Sequence, residues 1–214
     1  MNLKDNPIME YNSKQIEILH VTEKLFAEKG FDGTSVRDIA KAADMNVAMV
    51  SYYFGSKEKL LDAIIIHRVS GFRMILENLQ LETISPIEKI KKFVDLYINK
   101  LNENKDVYQI IHFEIVNQKR ACDLSAFSEI KKKNLLLLEN IIAEGQYANL
   151  FKPNCNSLMI PAMVIGTFSQ IYNNKKFYIE MLNLKNENEF EKYLLNDFKE
   201  EITNVVLGML IKLK

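Results

Sequence analysis

A chain of 214 residues has room for two packed units or one large one, and a 48% hydrophobic share supplies ample core. Its 28 Lys and Arg balance 28 Asp and Glu, which excludes a binder of nucleic acid that works by overall basicity. Seven Gly and four Pro are few for this length and favour long helices over sheets and turns.

Residues 1–11 read as a polar, flexible leader without the charged-then-apolar layout of an export signal. A first helix is predicted from Ser13, its N-cap, to Lys29, with Ile18, Leu19, Thr22, Leu25 and Phe26 on one side and Gly30 as its stop. His20 lies at the edge of that stripe and reads as structural or solvated. Thr34 is the expected cap of a second helix, whose small apolar face is Val36, Ile39, Ala40 and Ala43. Asp44-Met45-Asn46 breaks the pattern, and Asn46 caps a third helix over Val47–Phe54 with Val47, Val50 and Phe54 inward. Its outer side, Ala48, Ser51 and Tyr52, is short and neutral, and suits a helix that enters a major groove about 12 Å wide. Gly55 ends this helix and Ser56 caps the next. Two short helices joined by a tight turn make a helix-turn-helix, with Asn46–Tyr53 as the groove element. Residues 1–60 hold eight Lys and Arg against nine Asp and Glu, so any grip on DNA here rests on a few well-placed cations.

The run GFDGTSVRDIAKAADMNVAMVSYYFGSKEKL, from Gly30 to Leu60, resembles the DNA-binding domain of tetracycline-repressor (TetR) type regulators. Gly30-Phe31, Thr34-Ser35, Ile39-Ala40, Ala43, Tyr53-Phe54 and Ser56-Lys57 carry the resemblance, which covers roughly residues 12–62. Asp44 stands where the family usually has glycine, and Ser51 where it often has an aromatic. The resemblance implies an all-α homodimer. Residues 12–58 would form a three-helix helix-turn-helix domain, and residues 59–214 a helical domain that binds a small-molecule effector and dimerises.

From Ser56 to about Leu81 the apolar positions Leu60, Leu61, Ile64, Ile65, Phe72, Ile75, Leu76 and Leu79 predict one long helix. Ser85 caps another, with Pro86 in its first turn and Ile87, Ile90, Phe93, Val94, Tyr97, Ile98 and Leu101 inward. Asn102–Asp106 is a polar break, followed by a short helix over Val107–Asn117. A helix over Ala126–Tyr147 contains Lys131–Lys133, read as a solvated face. Two helices, Asn156–Asn173 and Phe190–Leu213, close the chain around an Asn183–Glu189 loop. Each is apolar on more than one side, which fits either buried core helices or, as the resemblance favours, a four-helix seam with their twofold mates through Met159, Met163, Gly166, Phe198, Ile202, Val205, Val206 and Met209.

Cys122 and Cys155 stand apart without a CxxC, as expected of a reduced, cytoplasmic chain, and no apolar run reaches the ~18 residues of a membrane span. No phosphate loop, dinucleotide fingerprint, HExxH or GxSxG occurs, so neither an enzyme nor a cofactor is expected. The expected partner is a near-palindromic double-stranded operator. Ser35 with the amides that open its helix, Tyr53 and Lys57 would grip phosphates, and Arg37, Val47, Ala48, Ser51 and Tyr52 would meet base edges. Candidates for a hydrophobic or amphipathic effector are His67, Phe72, Tyr97, Tyr108, His112, Asn117, Phe168 and Tyr172. The mode implied is repression relieved by that effector. The rivals are a helical protein-interaction module and a constitutive DNA binder with no effector.

Overall fold

Asn12, not Ser13, opens the first helix. Its side chain accepts from the Gln15 amide while Gln15 returns a bond to the Asn12 amide, and α1 runs Ser13–Lys29 until Gly30 turns out at φ +73°. The computed structural model describes residues 11–105, 107–110 and 125–212, and among these the architecture is all-α. The remaining helices are α2 (Val36–Ala42), α3 (Val47–Phe54), α4 (Lys57–Leu81), α5 (Pro86–Glu103), α6 (Ser125–Tyr147), α7 (Met159–Asn173), α8 (Lys175–Met181), α9 (Glu187–Leu195) and α10 (Asp197–Leu210). Two compact units separate, one from Met1–Arg73 with Asn104–Lys131 and the other from Met74–Glu103 with Lys132–Lys214.

In the first unit, α1, α2, α3 and the start of α4 enclose Ile18, Leu19, Phe26, Phe31, Ile39, Ala40, Val50, Phe54, Leu60 and Leu61. Phe26 and Phe31 supply the bulk, their rings 5.1 Å apart. Ion pairing adds a brace, because the Arg68 guanidinium on α4 meets the Glu23 carboxylate on α1 at 2.7 Å.

The second unit is centred on α5, which packs against α7 and α10. Ser85 caps α5 through the Glu88 amide, and Ile90, Phe93, Val94, Ile98 and Leu101 form its buried row. Lys89 is buried with them, and its ammonium donates to the Glu144 carboxylate and the Gln80 carbonyl, each at 2.8 Å. That pairing satisfies a charge that would be costly to desolvate alone.

Several expectations change. Asn102 and Glu103 continue α5, so the polar break begins later than the composition suggests. Ile75 is partly exposed, outside the inner row of α4. The predicted closing helix Phe190–Leu213 is two helices, α9 and α10, broken at Asn196, and α8 was missed. One device explains both breaks. Asn174 and Asn196 each turn the side-chain amide back to the carbonyl four residues earlier, Gln170 at 2.8 Å and Lys192 at 2.9 Å, and this competes with helix continuation.

Candidate nucleic-acid interface

The helix-turn-helix is held by local bonds that its sequence encodes. Ser35, rather than Thr34, caps α2: its hydroxyl accepts from the Asp38 amide at 3.2 Å, and the Ser35 amide donates to Asp38 Oδ2 at 2.9 Å. Thr34 points inward instead and donates to the Leu25 and Gly30 carbonyls, which ties the turn after α1. Asp44 takes φ +51°, the left-handed conformation for which glycine is usual. The Asn46 side chain accepts from the Met49 amide at 2.8 Å and starts α3, and Gly55, at φ +78°, ends it.

The Asp38 carboxyl lies below its ordinary range, chiefly because it accepts hydrogen bonds from the Ser35 side chain and then the Ser35 backbone. Because the folded value is below the unfolded one, the capping box contributes fully above the unfolded value and is lost as the pH falls through the folded one. We therefore expect Ser35→Ala to lower the melting temperature at neutral pH and the gap to the native chain to close in acid. Melts across a pH series check this, and a constant gap would remove Asp38 from the box.

On α3, Val50 and Phe54 face the core and the outer side is open. Tyr52 is 85% exposed, and Ala48 and Ser51 lie beside it. Val47 was expected to face inward, but it is 41% exposed and joins this outer face at the first position after the Asn46 cap. Tyr53 is half-buried, its ring 5.5 Å from that of Tyr52. Arg37 is exposed on α2.

Two of the residues expected to touch DNA are already engaged. The Asn46 side-chain oxygen is the cap acceptor, and the Lys57 ammonium donates to the Phe31 carbonyl at 2.9 Å and the Thr34 carbonyl at 2.8 Å. It also sits 4.1 Å from the centre of the Phe31 ring. In this structure Lys57 is a staple between the start of α4 and the turn that leads into α2.

The effector candidates divide between the units. His67 meets the Tyr11 ring edge-on at 5.6 Å and belongs to the first unit, as do Phe72 and Tyr108. Burial pushes the Tyr108 hydroxyl up to about 12. Tyr97 lies beside Phe93 in the second unit, where Phe168 and Tyr172 stack at 6.0 Å. His112 and Asn117 lie outside the described residues. Sequence reasoning missed Tyr11, which was assigned to the leader. It packs on Phe54 and His67, and an aromatic just before a helix cap was the available signal.

The residues expected at a dimer seam also divide. Phe198, Ile202 and Val206 are buried inside the protomer, where this i, i+4, i+8 row of α10 serves its packing with α5 and Phe198 faces Phe168 at 6.4 Å. They are core residues and leave no surface for a partner. Met159 and Val205, about half exposed, and Gly166 remain on the open side, and Met163 and Met209 are half-buried. Among the described residues no helix is long and apolar enough to cross a membrane, and no group of three His, Cys, Asp or Glu could hold a metal ion.

Comparison with known proteins agrees with this geometry. Residues 18–64 match the model for bacterial regulatory proteins of the tetR family, and residues 70–196 match the YsiA-like protein C-terminal region. The chain is 30% identical over 140 residues to the probable HTH-type transcriptional regulator YttP of Bacillus subtilis, which covers 63% of this chain and 65% of that relative. It is 26% identical over 163 residues to the HTH-type transcriptional repressor NicS of Pseudomonas putida, covering 74% and 75% of the two chains. Among solved structures, the regulator FadR from Bacillus subtilis in complex with stearoyl-CoA superposes with a TM-score of 0.69 at 20% identity, over 90% of this chain and 97% of that one. With both halves matched and the helix-turn-helix in place, the chain belongs to the TetR family of bacterial transcriptional regulators.

Proposed function

We propose that the protein is an operator-binding repressor which acts as a homodimer and is released by a hydrophobic or amphipathic effector. One observation carries the DNA-reading part: α3 presents Val47, Ala48, Ser51 and Tyr52 outward while Val50 and Phe54 anchor it from behind. Small side chains let the helix sit deep in the groove, and Tyr52 has both an apolar ring for a thymine methyl and a hydroxyl for a base edge. Arg37 is the residue that can read guanine bidentately, and the amides that open α2 beside Ser35 suit a phosphate. Tyr53 is positioned to add a backbone contact.

The twofold mate would join along the open sides of α7 and α10, at Met159, Gly166 and Val205. That arrangement would set two copies of α3 about 34–36 Å apart, one helical turn of DNA. An effector in the second unit would act through α4, whose first turns belong to the first unit and whose last turns belong to the second. A shift of its far end would move the recognition helices out of register. The stearoyl-CoA held by the Bacillus subtilis regulator supports an effector with a long apolar body.

The test is a footprint of the purified protein on the DNA upstream of its own gene and on selected genomic fragments, over a salt series. A twofold-symmetric protected site whose affinity falls steeply with salt is expected. Tyr52→Ala and Arg37→Ala should each weaken that site by roughly 5–150-fold, the equivalent of about 1–3 kcal/mol per base contact, without lowering the melting temperature. Variants that keep full sequence preference would remove these residues from the reading face.

A further inference from the structure

The recognition helix is short, and few side chains hold it. α3 is little more than two turns long, and its buried residues are Val50 and Phe54. Gly55 and Ser56 alone join it to α4, with Gly55 at φ +78°. A two-residue joint that contains a glycine leaves the angle between the helices to side-chain packing.

Tyr11 packs at that angle from outside both helices. Its ring lies 6.1 Å from the ring of Phe54, the last residue of α3, and 5.6 Å from that of His67, in the third turn of α4. All three residues belong to the first unit. The Tyr11 ring thus spans the Gly55 joint, with one contact on each arm. The next residue of α4, Arg68, is ion-paired to Glu23 of α1, so the α4 end of this bridge is itself tied down.

A local role does not account for the aromatic. A residue just before a helix cap ordinarily packs on the fourth residue of its own helix, which here is Ile16. Ile16 is 44% exposed, whereas Tyr11 is half-buried against the core of the first unit. Its ring contacts are with Phe54 and His67, residues 43 and 56 positions further along the chain.

We propose that Tyr11 is a positioning residue for DNA reading: its ring braces Phe54 of α3 against His67 of α4 and fixes the angle at which the recognition helix meets the groove. This rests on the repressor reading above. Without the ring α3 still forms, but its reading pose becomes one of several, and operator affinity falls by the fraction of molecules that hold it. Sequence-independent binding comes from phosphate contacts and is insensitive to that pose.

The experiment compares the full-length native chain with Tyr11→Leu and Tyr11→Phe, each below its own melting temperature. Affinity is measured for the operator duplex found by footprinting and for a scrambled duplex of the same length, and amide hydrogen exchange is followed across the DNA-binding unit. Tyr11→Leu should lose about tenfold in operator affinity, the worth of two ring contacts, and keep its affinity for the scrambled duplex. Its α3 amides should exchange about tenfold faster while those of α1 and α2 keep their native rates. Tyr11→Phe, which keeps the ring, should match the native chain in both readouts. Equal losses on the two duplexes, with faster exchange throughout the unit, would reduce Tyr11 to a general contributor to stability and overturn the proposal. A Tyr11→Phe chain as impaired as Tyr11→Leu overturns it too. If Tyr11→Leu does not fold, Tyr11→Met removes the ring with a more adaptable side chain and carries the same expectations. A native chain that prefers no DNA sequence loses the repressor reading, and exchange then decides alone: acceleration confined to α3 keeps the brace, and uniform acceleration removes it.

Discussion

Lys57→Met should unfold the DNA-binding unit at a markedly lower temperature than the native chain. Methionine keeps most of the apolar stem over the Phe31 ring but removes both donors, so the Phe31 and Thr34 carbonyls lose their partner. Hydrogen bonds from a charged group contribute more than neutral ones, and two of them in a half-buried setting are worth about 2–4 kcal/mol. In a chain of this size that corresponds to a fall of roughly 10 °C in the melting temperature. Thermal denaturation followed by circular dichroism checks it. The result also separates two roles for the lysine. A phosphate contact would lose operator affinity with the melting temperature unchanged, whereas the staple loses both, because α4 then no longer fixes the turn that feeds α2 and α3.

Gly145→Ala should be the most damaging small substitution in the second unit. A Cβ at Gly145 would lie 2.0 Å from Cδ2 and 2.7 Å from Cγ of Phe151, a separation no real side chain tolerates. The Phe151 ring is 1% exposed and cannot rotate away without displacing its neighbours. Its backbone is pinned as well: the Leu150 and Phe151 amides both donate to the Gly145 carbonyl, and Lys152 donates to the Leu210 carbonyl at 2.7 Å. Overpacking of this kind costs about 3 kcal/mol, near the upper end of its usual range. The expected observation is a melting temperature lower by roughly 10 °C, with helical content retained at low temperature. A change of under about 2 °C would show that the turn after α6 yields. Gly71→Ala within α4, where nothing lies within 4 Å of the added Cβ, serves as the control for helix propensity.

These two sites differ in how far the sequence announces them. Lys57 was legible as an important residue from its place in the Ser56-Lys57 pair, but its assignment to phosphate came from the motif and not from the fold. Three-dimensional packing brings the Phe31 and Thr34 carbonyls, 26 and 23 positions earlier, within reach of its ammonium. Gly145 gave no sign at all, since a lone glycine near a helix end reads as a stop. Its reason is the ring six residues on that folds back over it.

Local rules account for what could be read directly. Caps, glycine stops and the 3.6-residue period act over a turn or two, so the bounds of α3, the stop of α1 at Gly30, the Asn46 cap, the left-handed turn at Asp44 and the buried pair Val50 and Phe54 follow from the residues themselves, whereas the caps of α1 and α2 each fall one residue from the expected one and α5 runs on through Glu103. The outer face of α3, and with it the proposed DNA-reading surface, follows from the same periodicity, except for Val47 in the first turn. Period alone cannot say which of two apolar sides a helix turns toward its own core. On α10 both sides are apolar, and only the packing with α5 sends Phe198, Ile202 and Val206 inward and leaves Val205 outside. The effector residues depend on the tertiary arrangement for the same reason. A binding cavity is made of side chains far apart in sequence, so aromatic and histidine content pointed to residues that fall in two different units.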